Sequence, residues 1–162
     1  MLNLSSFPTS LQVLMNTDGT VTDLIQLLTK EELVVVKLYE KTNKESTTLK
    51  RKIYLQGKNS KTNWLCAESK IHLSNLHHDF VSDLTQHNIP IGTLWTKYKM
   101  ETYKTIIDKK QENSISIEHS GYEKGTKLLA RTYLVYNNKK VIMEITEWFP
   151  ISQYCNLKFK ST

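Results

Sequence analysis

Two stretches of the chain alternate their side chains with a period of two, and each places a charge among apolar neighbours. In an extended strand, residues two apart share a face, so the alternation fixes which side chains point inward. From Lys50 to Gln56 the odd positions are Arg51, Ile53 and Leu55, whereas the even ones are Lys50, Lys52, Tyr54 and Gln56. From Val141 to Phe149 the odd positions are Val141, Met143, Ile145, Glu147 and Phe149, and Glu144 falls on the other side. An Arg and a Glu are therefore each directed toward a core. Either they form a buried ion pair or sit at frayed strand ends, or they line a closed polar pocket. In the pocket reading the guanidinium meets a small anion and the carboxylate does acid or base work.

The basic residues sharpen this reading. Of 22 Lys and Arg, 20 are Lys, and the two Arg are Arg51 and Arg131. Lys, Asn, Ile and Thr are abundant, as an AT-rich genome writes them, so a position that keeps Arg needs its planar fork of donors. Both Arg are site candidates on that ground. The place of Arg131 depends on the turn that follows it. A two-residue turn at Asn137-Asn138 sets it opposite Glu144 on the outer side, and a three-residue loop puts it on the face of Glu147.

The remaining pattern predicts a segregated α+β chain. Leu11, Val13, Leu14 and Met15 after Pro8 suggest a first helix, and Asp18-Gly19 a turn. Thr20 to Asp23 has the form of a helix start, with an apolar face to about Thr29. Leu33 to Tyr39 reads as a strand and Lys41 to Thr48 as a polar loop. Lys50–Gln56 and Asn63–His72 make a hairpin around Gly57-Lys58-Asn59-Ser60. Asn75 to His87 is helical, Ile89-Pro90-Ile91-Gly92 interrupts, and a second helical stretch is predicted from about Thr93 to Lys109. Ile115 and Ile117 suggest a short strand, Gly121 to Lys127 a loop, and Leu128–Tyr136 with Val141–Phe149 a closing hairpin. Such an order favours an antiparallel sheet over a parallel doubly wound one.

Other classes are disfavoured. At 162 residues the chain has room for one domain, spanning residues 1–162. The net charge of +6 is spread in ones and twos rather than gathered in a stripe, so nucleic acid is not the expected partner. Apolar runs such as Val34–Val36 are too short to span a bilayer, and the first residues resemble neither a secretory nor a transit leader. Cys66 and Cys155 read as plain thiols. His77, His78 and Asp79 read as a solvated helix face, and neither a metal nor a phosphate-cradling loop is expected.

Five short motifs in order, Lys-Arg-Lys-Ile-Tyr-Leu at 50–55, Ala-Glu-Ser at 67–69, Ile-Pro-Ile-Gly at 89–92, Ala-Arg-Thr-Tyr-Leu at 130–134 and Ile-Thr-Glu-Trp-Phe-Pro at 145–150, carry a resemblance. From about Leu11 to Pro150 the chain resembles the chorismate pyruvate-lyase family, in particular cyanobacterial-type lyases and their relatives encoded in red-algal plastid genomes. The resemblance implies an antiparallel sheet with helices folded over it as flaps, enclosing a ligand pocket. It also implies cofactor-free elimination of pyruvate from chorismate to leave 4-hydroxybenzoate, a precursor of prenylated quinones. By resemblance, Arg51 holds the ring carboxylate, the backbone at Ile91 and Gly92 assists, and Glu147 bonds the ring hydroxyl. Arg131 matches a family position in the strand before the last, with a role toward the enolpyruvyl carboxylate, and Thr20 to Thr22 falls where the family has a closing loop. Some bacterial lyases carry an Arg where this chain has Ser69 and Lys70, so a second basic contact there would fall to Lys70. The expected partners are chorismate and 4-hydroxybenzoate, the expected state a monomer, and the expected location a plastid or, alternatively, a bacterial cytoplasm. A non-catalytic small-carboxylate binder on the same fold is the second reading, and a basic nucleic-acid or assembly factor the third.

Overall fold

The computed structural model describes residues 2–157, so the 1–162 span expected for the domain runs past them at both ends. Strands β1 (Leu33–Asn43), β2 (Thr48–Gly57), β3 (Asn63–His72), β4 (Tyr103–Asn113), β5 (Lys127–Asn137) and β6 (Lys140–Pro150) form one sheet in the order β1-β2-β3-β6-β5-β4. Every neighbouring pair is antiparallel, so the α+β architecture read from the sequence is the one observed. Helices α1 (Thr9–Asn16), α2 (Val21–Thr29), α3 (His78–Gln86), α4 (Ile91–Lys97) and α5 (Ile151–Cys155) cover one face.

That face collects the odd-numbered side chains of β2, β3 and β6. Ile53, Leu55, Leu65 and Phe149 pack against Leu11, Leu14 and Ile25 of α1 and α2 and against Tyr154 of α5. Ile71, Met143 and Ile145 pack against Phe80 and Leu84 of α3 and Leu94 of α4. The helical layer thus sits on two separate apolar clusters, and the charged positions fall between them. On the other face Tyr54, Cys66, Leu128, Ala130 and Trp148 are covered by the segment that carries Ile117 and Tyr122. Burial there pushes the Cys66 thiol up to about 12, consistent with its reading as an unreactive thiol.

Local chemistry explains the boundaries. Thr20 stands at the start of α2 with extended backbone and Asp23 follows in the first turn, where a carboxylate favours the helix dipole. Lys30 closes the helix in the left-handed conformation at φ 60°. Pro90 precedes α4, matching the interruption read at Ile89–Gly92.

Three expectations are corrected. The helix predicted from Thr93 to Lys109 stops at Lys97, and Tyr103–Asn113 is the edge strand β4. Lys99 at φ 48° breaks the chain direction between them, and the run Tyr103-Lys-Thr-Ile-Ile has strong β propensity. A bulge at Ile107 disguised that strand by placing two Ile side by side and breaking the alternation. The strand predicted at Ile115 and Ile117 is a 3-10 turn, Ser114–Ser116, in which the Asn113 side chain accepts from the Ile115 N–H; Ile117 is buried and Ile115 is 70% exposed. The last hairpin turns at Asn138-Lys139 rather than Asn137-Asn138, with Asn137 opposite Lys140.

A bulge at Ile142 then shifts the register by one, so Arg131 lies opposite Glu147. The same bulge takes Val141 off the inner face and turns Ile142 into the apolar cluster. Strand β1 also runs longer than read, to Asn43, which shortens the polar loop to residues 44–47.

Asn138 and Lys139 both have positive φ, 48° and 61°, as a two-residue hairpin of this hand requires. Lys139 bears the steric cost of that conformation without the local hydrogen bonding that favours Asn. Replacing Lys139 with Gly is expected to stabilise the protein by about 0.5–1 kcal/mol, read as a raised midpoint in urea unfolding.

Candidate functional site

The inner face carries its polar residues in two adjacent register rows. One row runs Ile53, Ala67, Glu147, Arg131 from β2 to β5, and the next runs Arg51, Ser69, Ile145, Tyr133. The two β3 positions hold the small side chains Ala67 and Ser69. They leave open floor between Arg51 on one side and Glu147 on the other, and a cavity with about 530 Å³ of atom-free space lies there. A space of this order is in the usual range for small-molecule sites. Its roof is made by the starts of α2 and α4, through Thr20, Thr22, Ile91 and Gly92, with Trp95 beside them.

Arg51 is 1% exposed. Its Nη1 donates to the Leu84 carbonyl at 3.0 Å, while Nε and Nη2 are buried without a hydrogen-bond partner. Burial lowers its pKa, and the charge of Glu40 partly offsets this. Glu40 is itself bound by Lys37 at 3.2 Å, so that pair is close to neutral. Two unused N–H groups of one guanidinium, aimed into a cavity, form a fork that fits a carboxylate.

Glu147 is 4% exposed, and both of its oxygens are held. Arg131 Nε donates to Oε2 at 2.7 Å and the Tyr133 hydroxyl donates to Oε1 at 2.8 Å. Arg131 is 1% exposed and also donates from Nη1 to the Thr17 carbonyl at 2.7 Å. Burial would lower the Arg131 pKa, but Glu147 and the Tyr133 hydroxyl outweigh it and the net direction is up. Tyr133 is pushed well above the usual phenol range by burial and by the Glu147 charge, so it stays a donor. Glu147 faces the cavity, whereas Arg131 stands behind it and is not among the lining residues.

Of the residues singled out in the sequence, Arg51, Ile91, Gly92 and Glu147 meet at one cavity, and Arg131 supports Glu147 from the next strand. The turn expected at Asn137-Asn138 would have turned Arg131 outward; the two-residue turn plus the bulge brings it in. Lys70 pairs across the ladder with Glu144 on the outer face and is exposed, so a basic contact cannot come from it. Ser69 lines the cavity instead. His77 and His78 are exposed at the start of α3. Among the described residues no group of three His, Cys, Asp or Glu side chains is gathered as a metal requires.

Lys104 is the lining residue that sequence reasoning missed. Its Nζ lies 4.6 Å from the Trp95 ring centroid and 5.5 Å from that of Tyr133, and it donates to the Gly19 carbonyl at 3.0 Å. Burial lowers its pKa, Glu147 and Asp18 raise it, and Arg131 adds to the lowering. Read within a helix, Lys104 had no defined face. On a strand with a bulge at Ile107, Lys104 and Ile106 point inward with Val135 and Tyr133.

A family model described as chorismate pyruvate-lyase Rv2949c-like matches residues 15–157. The Methanocaldococcus jannaschii protein named "Putative lyase MJ0807" is 31% identical over 152 residues, which cover 86% of this chain and 77% of that one. A Mycobacterium tuberculosis H37Rv protein named chorismate pyruvate-lyase is 26% identical over 162 residues, with 86% and 78% covered. Among solved structures, the effector domain of PhnF from Mycobacterium smegmatis matches with a TM-score of 0.59 at 10% identity, over 83% of this chain and 90% of that one. A gene product of Staphylococcus aureus, SA0254, matches with a TM-score of 0.56 at 11% identity, over 90% and 96%. At such identities these two share the fold alone with this chain.

Two variants test the construction. Arg131→Met strands a buried carboxylate and is expected to cost about 3–5 kcal/mol in urea unfolding, and adding Glu147→Gln to it should recover part of that loss. A Cβ added at Gly92 would lie 2.5 Å from the Thr20 methyl, so Gly92→Ala must part the starts of α2 and α4. The expected result is a faster release of any ligand from the cavity in stopped-flow measurements, with a smaller change in melting temperature.

Proposed function

The chain belongs to the chorismate pyruvate-lyase Rv2949c-like family, and from that premise we propose that it eliminates pyruvate from chorismate and leaves 4-hydroxybenzoate. The observation that carries this reading is the buried Arg51 fork, whose Nε and Nη2 lack partners and face a cavity that Glu147 also lines. In this reading Arg51 anchors the ring carboxylate by two parallel hydrogen bonds. The first N–H groups of a helix have no intrahelical partner, and those of Ile91 and Gly92 at the start of α4 assist from the roof. Ring orientation is then fixed at one end, and the C4 carbon with its hydroxyl lies toward Glu147.

The reaction needs little more than this placement. The C4–H bond breaks, its electron pair becomes the third ring double bond, and the C3–O bond breaks with its pair on the departing enolpyruvate oxygen. The C4 proton passes to Glu147, the enolate is protonated to pyruvate, and no oxidant, reductant or cofactor enters the balance. Aromatisation drives the step, so a carboxylate weakened by its pairing with Arg131 and Tyr133 suffices as acceptor. Glu147 also accepts from the C4 hydroxyl. Tyr133 and Arg131 act by holding it in position.

The rest of the reading is coarser. Residues 1–162 are taken as one lyase-like domain, acting as a monomer. The Lys-, Asn- and Ile-rich composition supports a plastid origin, where 4-hydroxybenzoate would feed quinone synthesis. No helix among the described residues is long and apolar enough to cross a membrane.

A second reading, a binder that does not turn its ligand over, is favoured by one observation: both Glu147 oxygens already accept strong hydrogen bonds, which lowers basicity. One experiment separates the two. Purified protein mixed with chorismate, without metal or nucleotide, is expected to give equal amounts of 4-hydroxybenzoate and pyruvate by chromatography. Arg51→Ala should cost about 2–4 kcal/mol in kcat/KM by leaving the carboxylate unpaired. Glu147→Gln should lower kcat about 100-fold or more. Absence of both products, with 4-hydroxybenzoate still raising the melting temperature, would establish the binder instead.

A further inference from the structure

Resting on the lyase reading of the cavity, we propose that Lys104 is the specificity-determining cation that receives the second carboxylate of a dicarboxylate ligand. The charge count across the cavity motivates this. Glu147 is neutralised by Arg131, which leaves Arg51 and Lys104 as the lining cations without a carboxylate of their own. Two uncompensated cations match a dianion, and chorismate carries two carboxylates where 4-hydroxybenzoate carries one.

Position agrees with charge. Arg51 on β2 and Lys104 on β4 are separated by β3, β6 and β5, about 19 Å of sheet at the usual strand spacing. Their long side chains reach toward each other from opposite ends and bracket the space between. Lys104 Nζ stands over the ring of Tyr133, the same residue whose hydroxyl holds Glu147, so it lies next to the reacting end rather than the anchored one. A carboxylate attached through the C3 oxygen falls on that side when the ring carboxylate is on Arg51.

The donors also remain to be used. An ammonium has three N–H groups, and the Gly19 carbonyl is the one hydrogen-bond acceptor found for Lys104 among the described residues. Arg131 is poorly placed for the same task, because Glu147 and the Thr17 carbonyl engage it and it stands behind the lining. Lys70 points to the other face. The second basic contact expected near Ser69 is thus supplied from β4.

A purely structural role for Lys104, tying the Gly19 loop to β4 beside Trp95, makes a different prediction. Isothermal titration of the full chain with two probes separates them. One is 4-hydroxybenzoate, with a single carboxylate, and the other is 3-(carboxymethoxy)-4-hydroxybenzoate, whose second carboxylate sits on an ether that has no ring hydrogen to eliminate with. Lys104→Gln keeps a donor for Gly19 but removes the charge, and is expected to weaken the dicarboxylate about 10- to 100-fold while changing the monocarboxylate less than about 3-fold. Lys104→Arg should restore most of the dicarboxylate affinity. Equal weakening of both probes, or of neither, would overturn the assignment of Lys104 and leave the lyase reading intact. Should the folded wild type take up neither probe, the reading of the cavity itself fails and the inference falls with it. If Lys104→Gln lowers the melting temperature too far to titrate, the KM for chorismate against the product inhibition constant in Lys104→Arg reads the same ratio, and an unchanged ratio there with a raised KM in Lys104→Met confirms the need for charge.

Discussion

A guanidinium and a carboxylate 2.7 Å apart, both nearly sealed from water, sit in the middle of a sheet face whose other occupants are aliphatic and aromatic. Burying two charges is expensive, and the pairing offsets that expense only when the remaining donors and acceptors are met. Here they are met by the Tyr133 hydroxyl and the Thr17 carbonyl. The consequence is a sheet face that cannot close into one apolar core. Instead the helices settle on two clusters, one under α1, α2 and α5 and one under α3 and α4, and the gap between the clusters is the cavity.

The same cations hold the roof. Arg51 donates to Leu84 at the end of α3, Arg131 to Thr17 after α1, and Lys104 to Gly19 before α2. Each is a strand side chain bonded to a backbone carbonyl of the helical layer, and each is charged, so these bonds are stronger than neutral ones. Ligand binding and the seating of the helices therefore draw on the same donors. A carboxylate arriving at Arg51 or Lys104 adds to the existing bonds where N–H groups are unused and competes with them where they are not. Motion of the two helix starts over the cavity is coupled to its charge state by this sharing, which is the arrangement expected where closure over a ligand governs release.

Much of this was legible in the residues. The parity of Arg51 against Ile53 and Leu55, and of Glu147 against Met143, Ile145 and Phe149, held because β2 and the second half of β6 carry no irregularity there. The α+β order followed from turns and apolar spacing. What the sequence hid lies at bulges. One extra residue at Ile142 decides whether Arg131 meets Glu147 or Glu144, and no single-sequence signal separates a bulged two-residue turn from a three-residue loop. Another at Ile107 made β4 look helical and took Lys104 out of consideration. A third at Leu38 lets β1 continue to Asn43 through a polar stretch read as loop. The short α5 was also missed, although Tyr154 on it is fully buried and donates to the Trp64 carbonyl at 2.7 Å. In each case tertiary pairing overrode a local pattern.

On the proposed reading, charge also sets the direction of the cycle. The substrate enters as a dianion between two uncompensated cations, and elimination divides those charges between two products. Each product keeps one carboxylate and so can satisfy only one of Arg51 and Lys104. Pyruvate, small and at the Lys104 end, has little apolar area to bury, whereas 4-hydroxybenzoate keeps the Arg51 fork, the Glu147 contact and a flat ring against Ala67 and Ile145. The aromatic product should therefore be the slower to leave, and its departure requires the starts of α2 and α4 to part at the Gly92–Thr20 contact. An enzyme built this way gains its hold on the substrate from the same fork that retains the product, since Arg51 binds the ring carboxylate equally in both. Only the second carboxylate differs between them, so only a cation at that position can favour the substrate over the product, and Lys104 is where the sheet puts one.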